Sequence, residues 1–113
     1  MTLGDVHWVE FAPKGGHAQA GRRPGIVVQH EKSSTRLPTI LVIPLTSQLD
    51  ALRFPGTVLI EPDSRNALRR ASVALVFQLT AIDQRYFSNR IGNLSRTILD
   101  EIFAALDDLT GRT

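Results

Sequence analysis

The side chains best suited to proton and phosphate chemistry lie between residues 15 and 24, where the chain reads GGHAQAGRRP. Three glycines and a closing proline favour a loop of defined shape. His17 could take or give a proton near neutral pH, and Gln19 could hydrogen-bond a base edge or its own loop. Pro24 restricts the backbone of Arg23, so this guanidinium could be aimed at a phosphate. A solvated loop with surface arginines explains the same composition equally well.

Two hydroxyl side chains, those of Thr46 and Ser47, follow the apolar segment Thr39–Leu45. Hydroxyls at the end of a strand can hydrogen-bond a phosphate oxygen or cap the turn that follows, and capping is the commoner role. Farther along the chain, Asp83 and Arg85 are two residues apart. We expect them to form a local ion pair rather than a catalytic pair.

The composition excludes several kinds of active site. The chain has no cysteine, which removes disulfides, thiolate nucleophiles and cysteine-ligated zinc. His7, His17 and His30 are scattered, so no metal or other cofactor is expected, although carboxylates could still hold Mg²⁺. No apolar run approaches the roughly 20 residues of a membrane span, and no signal-peptide pattern is present. These features predict a cytoplasmic protein without a membrane partner.

The positive charge is unevenly distributed. The whole chain carries +2, whereas residues 95–113 carry two arginines against four carboxylates, which leaves +4 on residues 1–94. Eleven of the thirteen basic residues are arginines, whose planar fork of donors suits phosphate. A nucleic-acid partner fits this pattern. A high-GC genome that favours arginine codons would produce it too.

Short apolar segments separated by turn residues predict a mostly antiparallel β fold in a single domain over residues 1–113. The predicted strands are Asp5–Phe11, Gly25–His30, Thr39–Leu45, Thr57–Ile60, Ala71–Leu79 and Arg90–Leu94. Between them we expect a polar turn at Glu31–Pro38, a loop at Ser47–Pro55, a charged turn at Glu61–Arg70 and a helical turn or irregular crossover at Ala81–Asn89.

One helix is predicted at the C-terminal end. Ser95 is a good N-cap and Gly111 can end the helix. The apolar residues fall at helical spacing on one face. They are Ile98, Leu99, Ile102, Phe103, Leu106 and Leu109. A small barrel packed against this helix is the expected architecture.

Taken in order, five segments resemble the MazF/PemK (Kid) family of type II toxin–antitoxin endoribonucleases. The segments are Gly4–Val9, Pro13–Pro24, Ile43–Ser47, Gln78–Arg85 and Ile91–Ser95, and they run over the whole chain. The resemblance implies an SH3-like small β-barrel with a C-terminal helix and a homodimer. It also implies neutralisation by a MazE-like antitoxin, which usually lays an acidic tail over the substrate groove.

The resemblance further implies metal-independent cleavage of single-stranded RNA at short sequences. In this reaction the ribose 2′-OH attacks the adjacent phosphate and leaves a 2′,3′-cyclic phosphate and a 5′-OH. By position, Arg23 matches the family's catalytic arginine, Thr46 its catalytic threonine and His17 a histidine of the Kid/PemK branch. The RNA-binding candidates are Lys14, Gln19, Arg22, Ser47 and Gln78.

Two positions depart from the family pattern. The loop glutamate of the family is Ala18 here, and the acid before the glutamine of the later strand is Phe77. Because arginine stays protonated, Arg23 is a poor base. Our hypothesis is that His17 handles the proton while Arg23 and Thr46 bind the phosphate.

Two alternatives remain open at this point. A toxin like CcdB shares the fold but acts on DNA gyrase without catalysis, although this chain lacks a Trp-Gly-Ile tail and ends LTGRT. A catalytically impaired module that binds RNA or an antitoxin would also fit the missing acids at Ala18 and Phe77. RNA binding without turnover would distinguish it.

Overall fold

Apolar segments separated by turns form seven strands and two helices in the computed structural model, which describes residues 1–11 and 21–113. The strands are β1 (Asp5–Phe11), β2 (Gly21–Val27), β3 (Thr39–Thr46), β4 (Thr57–Ile60), β5 (Ser72–Leu75), β6 (Thr80–Asp83) and β7 (Phe87–Asn93). The helices are α1 (Glu31–Ser34) and α2 (Arg96–Thr110). The prediction of a mainly β fold with a C-terminal helix is confirmed.

The sheet is organised around β3. The strand order is β4-β5-β3-β2-β1-β7, all pairings are antiparallel, and β6 pairs with the first half of β3. The last two residues of β3, Leu45 and Thr46, pair instead with β5. Because β4 and β7 do not pair within the described parts of the chain, the sheet is open. The term barrel therefore describes it only loosely.

The core lies between the sheet and α2. Its fully buried side chains include Val6, Ile26, Ile43, Ile60 and Ile102, which come from four strands and the helix. Burying each such side chain stabilises the fold by about 1.5–3 kcal/mol. This packing explains why the apolar segments and the helical stripe could be recognised in advance.

The ends of α2 follow its capping residues. The hydroxyl of Ser95 accepts a hydrogen bond from the Ile98 amide at 3.3 Å, and Gly111 adopts a left-handed φ of 77°. Both capping predictions are confirmed. Phe103 and Leu109, however, remain 38% and 40% exposed, because the stripe is wider than the surface that covers it. Within the described residues, neither helix has the length and apolar character needed to cross a membrane.

The predicted start and end of β2 are wrong. The strand begins at Gly21 rather than Gly25, since Arg22 and Arg23 pair with Glu10 and Val9 of β1. Pairing with a neighbouring strand thus overrides the local turn signal of Gly and Pro. Beyond Val27, the Val28 amide still donates to the Leu41 carbonyl, and the Gln29 side chain then accepts from the Leu41 amide and donates to the Thr39 carbonyl.

The predicted strand Ala71–Leu79 is also wrong. The structure places β5 and a 3₁₀ turn at Val76–Gln78 within it, and β6 begins just beyond it at Thr80. The turn allows the chain to leave one end of β3 and pair again at the other end. The last strand is correspondingly longer than predicted, Phe87–Asn93 instead of Arg90–Leu94.

Smaller helical elements occupy three connections. Helix α1 lies in the predicted polar turn Glu31–Pro38 and begins where the His30 ring accepts from the Lys32 amide. Other 3₁₀ turns cover Leu49–Arg53 and Gln84–Tyr86. The expected ion pair between Asp83 and Arg85 is confirmed, with 3.9 Å between Oδ1 and Nε.

The charged turn between β4 and β5 is held rigidly against β7. The buried Asn66 side chain accepts from the Asp63 and Leu68 amides and donates to the Glu61 carbonyl. A Cβ atom added to Gly92 would lie 2.5 Å from the Arg65 carbonyl oxygen, so the two backbones touch.

Replacing Gly92 with alanine should therefore lower the free energy of unfolding by about 2–3 kcal/mol, because the added methyl meets backbone atoms that cannot rotate away. Urea denaturation of the variant and the wild-type protein would measure the loss. A decrease of less than about 0.5 kcal/mol, the ordinary range for a surface substitution, would contradict the close contact.

Candidate active site

Arg23 and Thr46 lie on neighbouring central strands. The β2–β3 pairing ends at Gly25 and Pro44, and Arg23 and Thr46 each lie two residues beyond this pair. Both residues line a pocket of about 590 Å³ that we call the candidate catalytic pocket. Its lining residues are Arg23, Thr46, Gln48, Ala51, Arg53, Phe54, Leu75, Phe77 and Gln78. Three of the predicted site residues, Arg23, Thr46 and Gln78, thus meet in one place.

The Thr46 hydroxyl already caps the following turn. It accepts a hydrogen bond from the Gln48 amide at 3.2 Å, and the residue is only 6% exposed. A hydroxyl that accepts one hydrogen bond keeps its own hydrogen for donation. The capping role and a phosphate-binding role are therefore compatible, and the cap fixes the position of the oxygen.

The described lining of the candidate catalytic pocket contains no carboxylate and no histidine. Lys14, His17, Ala18 and Gln19 lie outside the described residues. What the described lining offers is the positive charge of Arg23 and Arg53 and the hydrogen-bonding groups of Thr46, Gln48 and Gln78. Elsewhere in residues 1–11 and 21–113, no three His, Asp or Glu side chains are grouped as metal ligands.

An aromatic pair occupies one side of the pocket. The Phe54 and Phe77 ring centroids are 5.8 Å apart at 60°, and the Arg53 guanidinium lies 4.8 Å from the Phe54 centroid. Both phenylalanines are about 40% exposed (44% and 39%). Sequence reasoning noted Phe77 only as a missing acid and overlooked Phe54 and Arg53, although their proximity to the Thr46 segment was a usable signal.

A second cavity of about 670 Å³, which we call the arginine groove, shares Thr46 with the candidate catalytic pocket. Its other lining residues are Trp8, Pro24, Leu45, Ser47, Ala67, Leu68, Arg69, Arg70, Ser72, Asn89, Arg90 and Ile91. The Arg22 guanidinium lies 4.5 Å from the centroid of the Trp8 ring, which lines the groove, although Arg22 itself is not a lining residue. Consecutive residues of a strand face opposite ways, so Arg22 lies on the other face of β2 from Arg23, which lines the candidate catalytic pocket. Sequence analysis missed Arg69, Arg70 and Arg90.

The open antiparallel sheet with one C-terminal helix is the fold of MazF toxins. The chain superposes on the crystal structure of MazF (Form-I) from Deinococcus radiodurans with a TM-score of 0.83, at 26% identity, covering 98% of this chain and 96% of that one. The Mycobacterium tuberculosis toxin MazF-mt6 has the same fold, with a TM-score of 0.75 at 17% identity over 92% of this chain and 93% of that one.

Sequence similarity then identifies the family. The family model for the PemK-like, MazF-like toxin of type II toxin-antitoxin systems matches residues 2–110. Endoribonuclease EndoA of Bacillus subtilis is 31% identical over 106 residues, which cover 94% of this chain and 90% of that protein. This chain belongs to the PemK-like, MazF-like toxin family.

Proposed function

We propose that this protein is a metal-independent endoribonuclease that cleaves single-stranded RNA at a short sequence, through a single domain over residues 1–113. The observation that carries the proposal is the convergence of Arg23, Thr46 and Gln78 on the candidate catalytic pocket. The relative EndoA, whose name describes an endoribonuclease, supports the same activity.

The reaction needs a base, an acid and groups that stabilise a phosphorane. The 2′-oxygen attacks phosphorus and its proton passes to the base, for which His17 is our candidate. The bond from phosphorus to the 5′-oxygen breaks, and this oxygen receives a proton. The products are a 2′,3′-cyclic phosphate and a 5′-OH. Arg23 and Thr46 would bind the non-bridging oxygens, on which negative charge accumulates.

The remaining candidates would bind the flanking nucleotides. Gln78 lines the candidate catalytic pocket and Ser47 lines the arginine groove, whereas Arg22 packs on Trp8 of that groove. Lys14 and Gln19 stay predictions because they lie outside the described residues. A requirement for the 2′-OH explains a preference for RNA over DNA.

Incubation of the purified protein with a long single-stranded RNA in EDTA tests the proposal. We expect cuts at one short sequence and 5′-OH ends at each cut. RNA binding without cleavage would instead favour a binding module, and neither binding nor cleavage would favour a CcdB-like toxin that acts on gyrase. A circular-dichroism spectrum of the same sample confirms that the protein is folded.

The proposal includes a MazE-like antitoxin, a homodimer and a cytoplasmic location. A solved MazE-MazF complex of Deinococcus radiodurans has a chain of the same fold, with a TM-score of 0.75. The +4 charge of residues 1–94 would attract an acidic antitoxin tail as well as RNA. Sedimentation at twice the 12.5 kDa chain mass would support the homodimer.

Replacing Phe77 with alanine should raise KM for RNA by about tenfold with little change in kcat, because base–aromatic stacking contributes about 1–3 kcal/mol per base. The ring pair of Phe54 and Phe77 offers an exposed aromatic surface beside Arg23. Phe103 is equally exposed on α2 but outside the pocket, so its alanine variant is the matched control. Equal KM values for the two variants would contradict a stacking role.

A further inference from the structure

The arginine groove begins at Thr46, the residue that is proposed to bind the scissile phosphate of the RNA. Thr46 lines both cavities. An RNA chain bound at Thr46 therefore has the candidate catalytic pocket on one side and the arginine groove on the other. An RNA chain that is cut in its interior must continue in both directions from the scissile phosphate. The arginine groove provides a path for the RNA in one of these two directions.

Two arginines on the groove wall are held by a rigid segment. Arg69 and Arg70 follow the turn that is fixed by the Asn66 hydrogen bonds and pressed against Gly92. Within the described chain, no carboxylate lies within ion-pair distance of either guanidinium. Their charges are therefore available to an anion from outside the chain.

A third arginine of the groove lining is fixed by an ion pair. The Nε of Arg90 donates to the buried carboxylate of Asp5 at 3.1 Å, while half of its side chain (52%) remains exposed. The bond orients the guanidinium and neutralises Asp5. No carboxylate lines the groove itself among the described residues.

The rest of the groove is suited to a planar, largely apolar group. Trp8, Leu68 and Ile91 lie in the lining, and the Trp8 ring carries the Arg22 guanidinium at 4.5 Å. Single-stranded RNA is commonly bound by bases that stack on aromatic rings or guanidinium planes while cationic side chains hold the phosphates. An acidic peptide would use the arginines but not the aromatic and apolar lining.

We propose that the arginine groove binds the RNA nucleotides on one side of the scissile phosphate. Arg69 and Arg70 bind their phosphates, and one base lies against Trp8. This inference rests on the proposed ribonuclease function and adds a binding subsite to it. The groove contributes affinity and sequence preference, whereas the chemistry stays in the candidate catalytic pocket.

The test uses an RNA that carries the mapped cleavage sequence with a single 2′-deoxynucleotide at the cut, so that it binds without reacting. Its dissociation constant is measured by anisotropy over a series of salt concentrations in EDTA. The variants are the double variant Arg69→Ala/Arg70→Ala and the control Arg36→Ala. Arg36 is also exposed and without a carboxylate partner, but it lines neither cavity.

The double variant should bind the RNA at least about tenfold more weakly, because hydrogen bonds to charged groups are the stronger ones. Its log–log salt slope should fall by roughly 0.7 for each phosphate that is no longer neutralised, or about 1.4 for two. The rate of cleavage at saturating RNA should stay within about twofold, because uniform binding affects KM alone. Arg36→Ala should match the wild-type protein in all three quantities.

Trp8 provides a second measurement that does not depend on a variant. It is the only tryptophan in the chain, so its emission reports on the groove directly. Saturating RNA should quench or shift this emission. Unchanged Trp8 emission, or equal RNA affinities and salt slopes for the double variant and Arg36→Ala, would overturn the inference.

Other occupants give different results. If the double variant keeps its RNA affinity but changes its sedimentation mass, the groove is covered by a second copy of the chain. If it keeps its RNA affinity but loses affinity for oligoglutamate, the groove serves an acidic protein partner. Either result overturns the inference while leaving the ribonuclease function standing. A wild-type protein that cuts no RNA would overturn both.

Discussion

Replacement of Arg23 by alanine is expected to lower the rate constant of RNA cleavage by about a thousandfold, since loss of a single stabilising donor at a developing oxyanion costs about 10²–10³. Arg23 lines the candidate catalytic pocket together with Thr46. No other described lining residue except Arg53 carries a positive charge. Single-turnover cleavage of an RNA that carries the mapped sequence would measure the effect.

Two further variants make the Arg23 result specific. Arg23→Lys keeps the charge but loses the planar fork, so it should recover only part of the rate. Arg36→Ala removes an arginine outside both cavities and should leave the rate unchanged. If Arg23→Ala affects KM while kcat stays at the wild-type value, Arg23 binds RNA without stabilising the transition state.

The second large effect is expected for His17→Ala, which should also slow cleavage by about a thousandfold, within the 10²–10⁴ typical of general acid–base catalysis. The described lining of the candidate catalytic pocket supplies no group that could accept the 2′-OH proton. A histidine base works in its neutral form. Cleavage by the wild-type protein should therefore slow as the pH falls through the titration range of histidine.

The pH profile separates proton transfer from a structural role of His17. In the alanine variant the acidic limb of the profile should disappear along with most of the rate. His30→Ala is a suitable control, because His30 caps the short helix α1 and lines neither cavity. Normal cleavage by His17→Ala would contradict the proton-transfer role and leave the base unidentified.

The elements that were predicted correctly depend on local signals. Ser95 and Gly111 bound α2 through hydrogen bonds and backbone angles of their own neighbourhood, and a single apolar strand such as β1 is recognisable from its side chains. The errors arose where pairing with a strand distant in sequence determines where an element begins or ends. The start of β2 is set by pairing with β1, and the break at Val76–Gln78 by the two ends of β3.

The same distinction applies to the candidate site. Arg23 and Thr46 could be singled out from the sequence. Arg23 stands just before one apolar segment, and Thr46 stands just after the next. Arg69 and Arg70 could not be singled out, since only the packing of Asn66 and Gly92 brings their turn to the groove. In the sequence they were two charges in a polar connection.

The residues that line the two cavities come from two different parts of the fold, the paired strands and the connections between strands. Arg23 and Thr46 are held by strands at the centre of the sheet, whereas eight of the other lining residues come from the connections 48–54 and 67–70. Substitutions in those connections leave the strand register intact. Under the proposed function, the connections can therefore change the RNA sequence that is recognised without moving Arg23 or Thr46, and exchanging them between members of the family is a direct route to new specificities.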